Sequence, residues 1–181
     1  FLCVTDQVIH HHLRGQHVIG VYPLLRHDPC WFLAADFDKT SWAEDVSAFV
    51  ETCHDAGIRP SVERSRSGNG AHVWFFFAEP IAAATARKMG CYFITQTMAR
   101  RHQLSMESYD GFFPNQDSMP RGGFGNLIAL PLQHGPRQHG NTVFLDDALV
   151  PYTDQWDYLG RVLQEQRLSP AQVEQIAAEA T

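Results

Sequence analysis

The segment Cys30-Trp-Phe-Leu-Ala-Ala-Asp-Phe-Asp-Lys39 constrains this chain more than any other. Its alternation predicts a strand with Trp31, Leu33, Ala35 and Phe37 on one face and Phe32, Ala34, Asp36 and Asp38 on the other. Both carboxylates then leave the same face, at the C-terminal end of a thoroughly apolar strand and the edge of a core. Two like charges held that close repel unless something positive lies between them. A hard divalent cation such as magnesium or manganese is the usual partner of paired carboxylate oxygens. The plainer alternative is a solvated strand edge or a helix cap. Ser41 begins a helix of its own, so capping requires neither aspartate.

A chain of 181 residues suffices for one sizeable core, whereas two small domains would be a stretch. No apolar run approaches the ~20 residues of a membrane span. The start, Phe1-Leu-Cys-Val-Thr-Asp6, lacks the charged region and small-residue cleavage site of a signal peptide. It also lacks an initiator methionine, so a fragment of a longer protein is expected. Cys3, Cys30, Cys53 and Cys91 are scattered without a C-x-x-C pair, which speaks against structural zinc and a disulfide framework and for a reducing, cytoplasmic setting. A net charge of −6 disfavours nucleic-acid binding by bulk electrostatics. Cationic residues nevertheless gather at Arg64/Arg66, Arg87/Lys88, Arg100/Arg101/His102 and along 121–139, which leaves room for a local basic surface.

Capping and turn residues divide the chain into elements. A helix is expected over about 5–14, closed by Gly15, then a short strand over 18–22. After the aspartate strand, Ser41-Trp-Ala-Glu44 has the capping-box pattern. It opens a helix in which Trp42, Val46, Phe49, Val50 and Cys53 recur at helical spacing until Gly57. Strands are expected over 60–65 and 71–77, joined by the tight turn Ser67-Gly-Asn-Gly70. Pro80 should open a long helix reaching about Arg101, and 103–123 reads as irregular. Strands follow at 126–132 and 142–145, then helices at 153–166 and 170–180, the last launched by Ser169-Pro170. The order implies an α+β fold around a mixed or antiparallel sheet.

Two further segments carry chemistry. In Arg64-Ser-Arg-Ser-Gly-Asn-Gly-Ala-His72, Gly68 and Gly70 allow backbone N–H groups to converge on an anion. Ser67 and His72 add donors, and Arg64 and Arg66 add fixed positive charge. A plain hairpin turn with a partly buried histidine is the competing reading. The stretch Glu107-Ser-Tyr-Asp-Gly-Phe-Phe-Pro-Asn-Gln-Asp117, followed by Arg121-Gly-Gly-Phe-Gly-Asn126, offers one more carboxylate, Asp110 or Asp117, and a glycine-rich approach to an apolar strand. Carboxylates that hold two divalent metals, opposite a Ser/His/Arg turn that grips a triphosphate, describe nucleotidyl transfer.

In combination these residues resemble the archaeo-eukaryotic primase superfamily, and within it the primase-like domain of TOTE conflict systems, which are multidomain helicase–nuclease proteins. The likeness runs from about residue 8 to 158. It rests on Gly20-Val-Tyr-Pro-Leu-Leu25, Ala35-Asp-Phe-Asp-Lys39, Glu63-Arg-Ser-Arg-Ser-Gly-Asn-Gly70, Phe113-Pro-Asn-Gln-Asp117 and Gly125-Asn-Leu-Ile-Ala-Leu-Pro-Leu-Gln133. The polymerase domain of bacterial end-joining ligases is a more distant relative, sharing the S-G-x-G-x-H type of turn. The resemblance implies an RRM-like sheet that carries the active site beside an N-terminal α/β portion. It makes 1–158 the catalytic domain and 159–181 a C-terminal helix leading toward helicase or nuclease domains.

Asp36, Asp38 and Asp110 would be the catalytic metal ligands for two Mg2+ or Mn2+ ions. Asp117 is the alternative third ligand, since it better matches the distance to the next strand, whereas Asp110 forms a hydrophobic-acidic pair with Tyr109. Arg64, Arg66, Ser67, Gly68, Gly70, His72 and Asn126 would bind the nucleotide. The implied activity is template-directed addition of NTPs or dNTPs to a 3′-hydroxyl on single-stranded or primer-template DNA. The chain departs from family members that carry a zinc-binding element, because it has no cysteine cluster. A second reading is a nucleic-acid-binding module with a vestigial polymerase site that recruits a linked helicase or nuclease. A metal-dependent nuclease comes last, having little need for the Ser67–His72 turn.

Overall fold

A hairpin flanked by two helical crossovers organises the molecule. The computed structural model describes residues 3–101 and 106–180. Helix α1 (Asp6–Leu13) starts at Thr5, whose hydroxyl accepts from the Val8 N–H, and the chain leaves it through Gly15 at φ +79°. Strand β1 (Gly20–Val21) follows, then β2 (Pro29–Phe37), α2 (Trp42–Asp55), β3 (Ser61–Arg64), β4 (Ala71–Ala82), α3 (Ala83–Arg100) and β5 (Tyr109–Phe113). After β6 (Ile128–Ala129), the short α4 (His134–Arg137) and β7 (Phe144–Leu145), the chain ends in α5 (Gln155–Arg161), a π-helical turn (Val162–Gln166) and α6 (Pro170–Ala178). No helix among the described residues is long and apolar enough to cross a membrane.

The main sheet has the order β5-β2-β4-β3-β7 with antiparallel neighbours throughout, and β1 pairs with β6 in a separate ribbon. β2-α2-β3-β4-α3-β5 is therefore the split β-α-β arrangement, with β7 added at the β3 edge. This is the α+β fold expected from the sequence, with the antiparallel form of the two sheets it allowed. Among the described residues, parallel pairing is confined to an isolated bridge between Phe77 and Leu168.

Alternation along β2 and β4 gives the sheet two different faces. Leu33, Ala35 and Phe37, with Val73, Phe75 and Phe77, bury against Val46 and Phe49 of α2, Met89 and Phe93 of α3, and Val173 and Ile176 of α6. The opposite face carries Ala34 and Trp74 in a smaller cluster with Ile128, Phe144, Tyr158 and Val162. That cluster covers the Phe32/Phe76 end of the face and leaves the Asp36 end more open.

Several local expectations give way to tertiary pairing. β4 runs through Pro80 to Ala82, and α3 starts only at Ala83. The register against β2 shifts between Cys30 and Phe32, so Pro80 falls in an irregular stretch where no ladder N–H is required of it. The same irregularity leaves Trp31 half exposed. Ser41 precedes α2 but makes no cap to its backbone, because its hydroxyl donates to Asp45 Oδ2 at 3.1 Å. Residues 109–113, expected to be irregular, form β5, whose Phe112 is drawn into the core beside Gly90. Residues 102–105 lie outside the described part of the chain. The strand expected over 126–132 shrinks to Ile128–Ala129, with Leu127 half exposed. At the other end, Ser169 does form a capping box with Gln172, and Pro170 occupies the first turn of α6.

Asp45 joins α2 to β5 beneath the site. It is buried, and its Oδ2 accepts from the Ser108 hydroxyl at 2.5 Å, the Ser108 N–H at 3.4 Å and Ser41. The neighbouring Ser108 carbonyl in turn accepts from Asp38 N–H at 2.7 Å. Replacing Asp45 with Ala strands the buried Ser108 donors and should lower unfolding free energy by about 3 kcal/mol, read from urea denaturation.

Candidate active site

Register across the sheet builds the site. Asp36 on β2 pairs with His72 on β4, and His72 pairs with Glu63 on β3, so three side chains of one face stand in a row across three strands. His72 Nδ1 lies 2.9 Å from Glu63 Oε2, and the Trp74 indole donates to the same oxygen at 3.0 Å. His72 Nε2 lies 3.6 Å from Asp36 Oδ1. A carboxylate can only accept, so the network assigns the proton to Nδ1 and turns Nε2 toward Asp36. Phe113 of β5 sets its ring edge-on to His72 at 6.3 Å between centroids.

The electrostatics follow from crowding. Burial raises the Asp36 carboxyl above its ordinary value; the nearby His72 opposes this, and the charges of Asp38, Asp110 and Glu63 add to it. Burial alone would lower His72, but its hydrogen bond to Glu63 and the charges of Glu63, Asp36 and Asp38 outweigh it and leave the imidazole above its ordinary value. Three carboxylates thus act on one partly buried fourth, and together they favour the protonated form of His72.

A bulge delivers Asp110. Asp36 pairs with Gly111 but Phe37 pairs with Tyr109, so Asp110 is the extra residue in β5. Tyr109 packs at a tilt against Phe37 on the helical side of the sheet, while the charge of Asp110 is felt at Asp36 on the other. Asp117 goes elsewhere: it is exposed and ion-paired with Arg87 of α3.

Asp38 sits where β2 ends. The next residue, Lys39, has φ +72°, a left-handed conformation that costs a non-glycine residue roughly 1–2 kcal/mol. Its ammonium donates to the Glu107 carbonyl at 2.9 Å. Gly70 of the hairpin packs directly on this corner, and a Cβ there would collide with the Phe37 carbonyl oxygen and Asp38 Oδ1. Glycine is therefore required by close approach. A cavity of about 470 Å³, lined by Lys39, Thr40, Trp42 and Asn69, opens at the same corner.

The hairpin turn satisfies much of its own hydrogen bonding. Ser65 N–H donates to the Gly70 carbonyl at 2.9 Å, Gly68 N–H to the Ser65 carbonyl at 3.0 Å, and Asn69 N–H to Ser67 Oγ at 3.2 Å. Gly68 adopts φ +81°. The amides of Gly68 and Asn69 therefore point into the turn and do not form an open anion cradle in this structure. Ser67 and Arg66 are exposed at its tip, and Asn141 Nδ2 holds the Arg66 carbonyl at 3.2 Å.

Arg64, adjacent to Glu63 and so on the opposite face, donates to the Leu149 carbonyl at 3.0 Å and the Gly140 carbonyl at 3.4 Å. It fastens the sheet edge and does not reach the Asp36 row. Asn126 ties β5 to its following loop, donating to the Phe112 carbonyl at 2.9 Å and accepting from Asn115 N–H at 3.2 Å.

The fold thus gathers Asp36, Asp38, Asp110, Gly70 and His72, with Ser67, Gly68 and Arg66 on the adjoining turn. The chemistry of the donors fits a hard divalent cation: oxygen ligands, mutual repulsion and a raised Asp36. Among the described residues, however, no group of three or more His, Cys, Asp or Glu side chains converges tightly enough to hold a metal ion. Sequence reasoning passed over Glu63 and Trp74. The signal was available, since closing the hairpin pairs 64 with 71 and hence 63 with 72, and alternation puts residue 74 on the face of 72.

The family model described as "TOTE conflict system, Archaeo-Eukaryotic Primase domain" matches residues 1–176. No curated protein matches the chain. Among solved structures, the polymerase domain of Mycobacterium tuberculosis Ligase D in complex with DNA is similar at 17% identity and a TM-score of 0.40. The similarity covers 84% of this chain and 57% of that one, so this chain spans little more than half of its structural neighbour's length.

The raised imidazole makes stability depend on pH. Folding favours protonated His72, so its contribution is fully present below about pH 6.5 and is lost as pH rises through the higher folded-state value. Asp36, also raised, loses its own contribution in the same sense, as pH climbs from the ordinary carboxylate range. In chelator-containing buffer the urea midpoint should therefore fall as pH is raised above about 6.5, and fall less in His72→Gln. Parallel curves for the two proteins would contradict the assignment.

Proposed function

The chain belongs to the archaeo-eukaryotic primase domain family of TOTE conflict systems, and from that premise we propose that it is a metal-dependent, template-directed nucleotidyltransferase. It adds NTPs or dNTPs to a 3′-hydroxyl on single-stranded or primer-template DNA. The observation that carries this reading is the cross-strand row: Asp36 and His72 in register, with Asp38 and the bulged Asp110 acting on the same carboxylate.

Asp36, Asp38 and Asp110 would hold two Mg2+ or Mn2+ ions, which when bound supply Lewis-acid activation of the hydroxyl and neutralise charge on the transferred phosphoryl group. His72 presents Nε2 toward the same place and, protonated at both ring nitrogens, donates a hydrogen bond from Nε2–H to a phosphate oxygen of the incoming nucleotide. Ser67 and Arg66, exposed on the turn, offer a hydroxyl and a guanidinium to the same anion. The cavity beside Lys39, Trp42 and Asn69 has room for part of a nucleotide. In this reading 1–158 holds the catalytic apparatus. The segment 159–181, whose Leu168, Val173 and Ile176 pack into the core, leads toward linked helicase or nuclease domains.

A second reading is favoured by one observation, the lack of a closed ligand group among the described residues. On that reading the domain binds nucleic acid for a linked helicase or nuclease without catalysing transfer. Primer extension with Mn2+ and mixed NTPs and dNTPs separates the two. Wild-type chain should extend a primed template, and Asp36→Ala/Asp38→Ala should lose extension by at least about a thousandfold while retaining its circular dichroism and melting profile. Equal extension by both proteins would refute the polymerase reading, and DNA binding without any extension would favour the module.

A further inference from the structure

A buried acid needs a reason to be where it is. Glu63 is 2% exposed, at the centre of a sheet face whose neighbours are Trp74, Phe144 and Tyr158. A leucine there would pack without needing any partner, whereas a carboxylate must be hydrogen-bonded to be tolerated. Its Oε2 is held from two sides, by His72 Nδ1 and by the Trp74 indole. Both contacts depend on the register that sets Glu63 opposite His72, with Trp74 two residues further along the same strand face.

We propose that Glu63 is the positioning residue of the site. It keeps the His72 ring oriented with Nδ1–H turned into the sheet and Nε2 turned out toward Asp36, so that Nε2 is the atom offered to a nucleoside triphosphate. The Trp74 indole, by donating to the same oxygen, keeps the carboxylate itself from rotating. An imidazole without such a partner can turn about its ring bond and exchange nitrogen for carbon at the position facing the site. The role parallels that of outer carboxylates on metal-bound histidines, which orient a ring that does the binding. It rests on the proposed function in one respect, that His72 contacts the triphosphate.

The test uses the whole chain and Mn–ATP as the probe. Calorimetry measures affinity, and the nitrogen resonances of the His72 ring, recorded on the metal-free protein, report which nitrogen carries the proton and whether the ring is held. His72→Ala should weaken Mn–ATP binding by at least about tenfold, and Glu63→Leu by about tenfold with loss of the Nδ1–H signature. Glu63→Gln keeps an acceptor oxygen for Nδ1–H and should recover binding to within about threefold of wild type, with the signature retained. Glutamine matches glutamate in size, so recovery of binding alone fits mere filling of space. The Nδ1–H signature, lost in Glu63→Leu and kept in Glu63→Gln, is the readout that such filling would not move. Weakening in His72→Ala but not in a folded Glu63→Leu overturns this inference alone. Unchanged binding in both overturns the reading of the site and this inference with it. Should Glu63→Leu not fold, Trp74→Phe removes the indole donor while keeping an aromatic ring at the position. It should weaken binding by about threefold and broaden the ring resonances, and an unchanged spectrum and affinity overturn the proposal.

Discussion

The antiparallel register of β2, β4 and β3 is the constraint on which the rest of this molecule depends. It sets Asp36, His72 and Glu63 abreast although they are far apart in the chain. A slip of one residue in either pairing would send the partner side chain to the helical face and put a charge into the core made by Val46, Phe49 and Phe93. The aromatic stack of Phe75 on Phe93, with ring planes 2° apart, and the edge contact of Phe49 on Phe75 oppose any such slip. Packing on one face therefore fixes chemistry on the other.

The two faces also divide labour along their length. At one end of the site face, Trp74 and Phe76 stack at 11° and Tyr158 donates to Ser61 at 2.9 Å, so the sheet there is closed by α5 and the β1–β6 ribbon. At the other end, the carboxylates and His72 meet a turn and a helix start, where the backbone departs from regular geometry at Lys39, Gly68 and the Asp110 bulge. Irregular backbone at a strand end, held by a regular sheet behind it, is a common way to aim side chains that a pleat would otherwise send to alternate faces.

How far the sequence discloses this follows from range. Elements defined by local chemistry were legible: α1 with its Gly15 exit, α6 with its Ser169-Pro170 start, β2 by alternation, and the hairpin by its glycines. Those decided by distant partners were not. Pro80 looks like a helix start because proline suits a first turn, yet pairing of Ile81 with Cys30 keeps it in β4. β5 looks like loop because Asp, Gly, Pro and Asn dominate it, yet β2 captures Tyr109–Phe113 as an edge strand. Within the site, Asp36, Asp38 and His72 were visible from spacing. Placing Asp110 needed the bulge, separating Arg64 from the row needed its hydrogen bonds to 140 and 149, and Glu63 needed the hairpin register to be followed one pair further.

The contact between Gly70 and Asp38 has a consequence for binding. Because the turn lies against the backbone that carries the acid, neither can adjust without moving the other. Asp38 is further tied through its N–H to Ser108, and Ser108 to Asp45 in the first turn of α2. The loss of conformational freedom needed to align these groups is therefore met when the chain folds and not when a ligand arrives. A binder to this corner would meet a surface already arranged, with the exposed side chain of Arg66 as the part left to order.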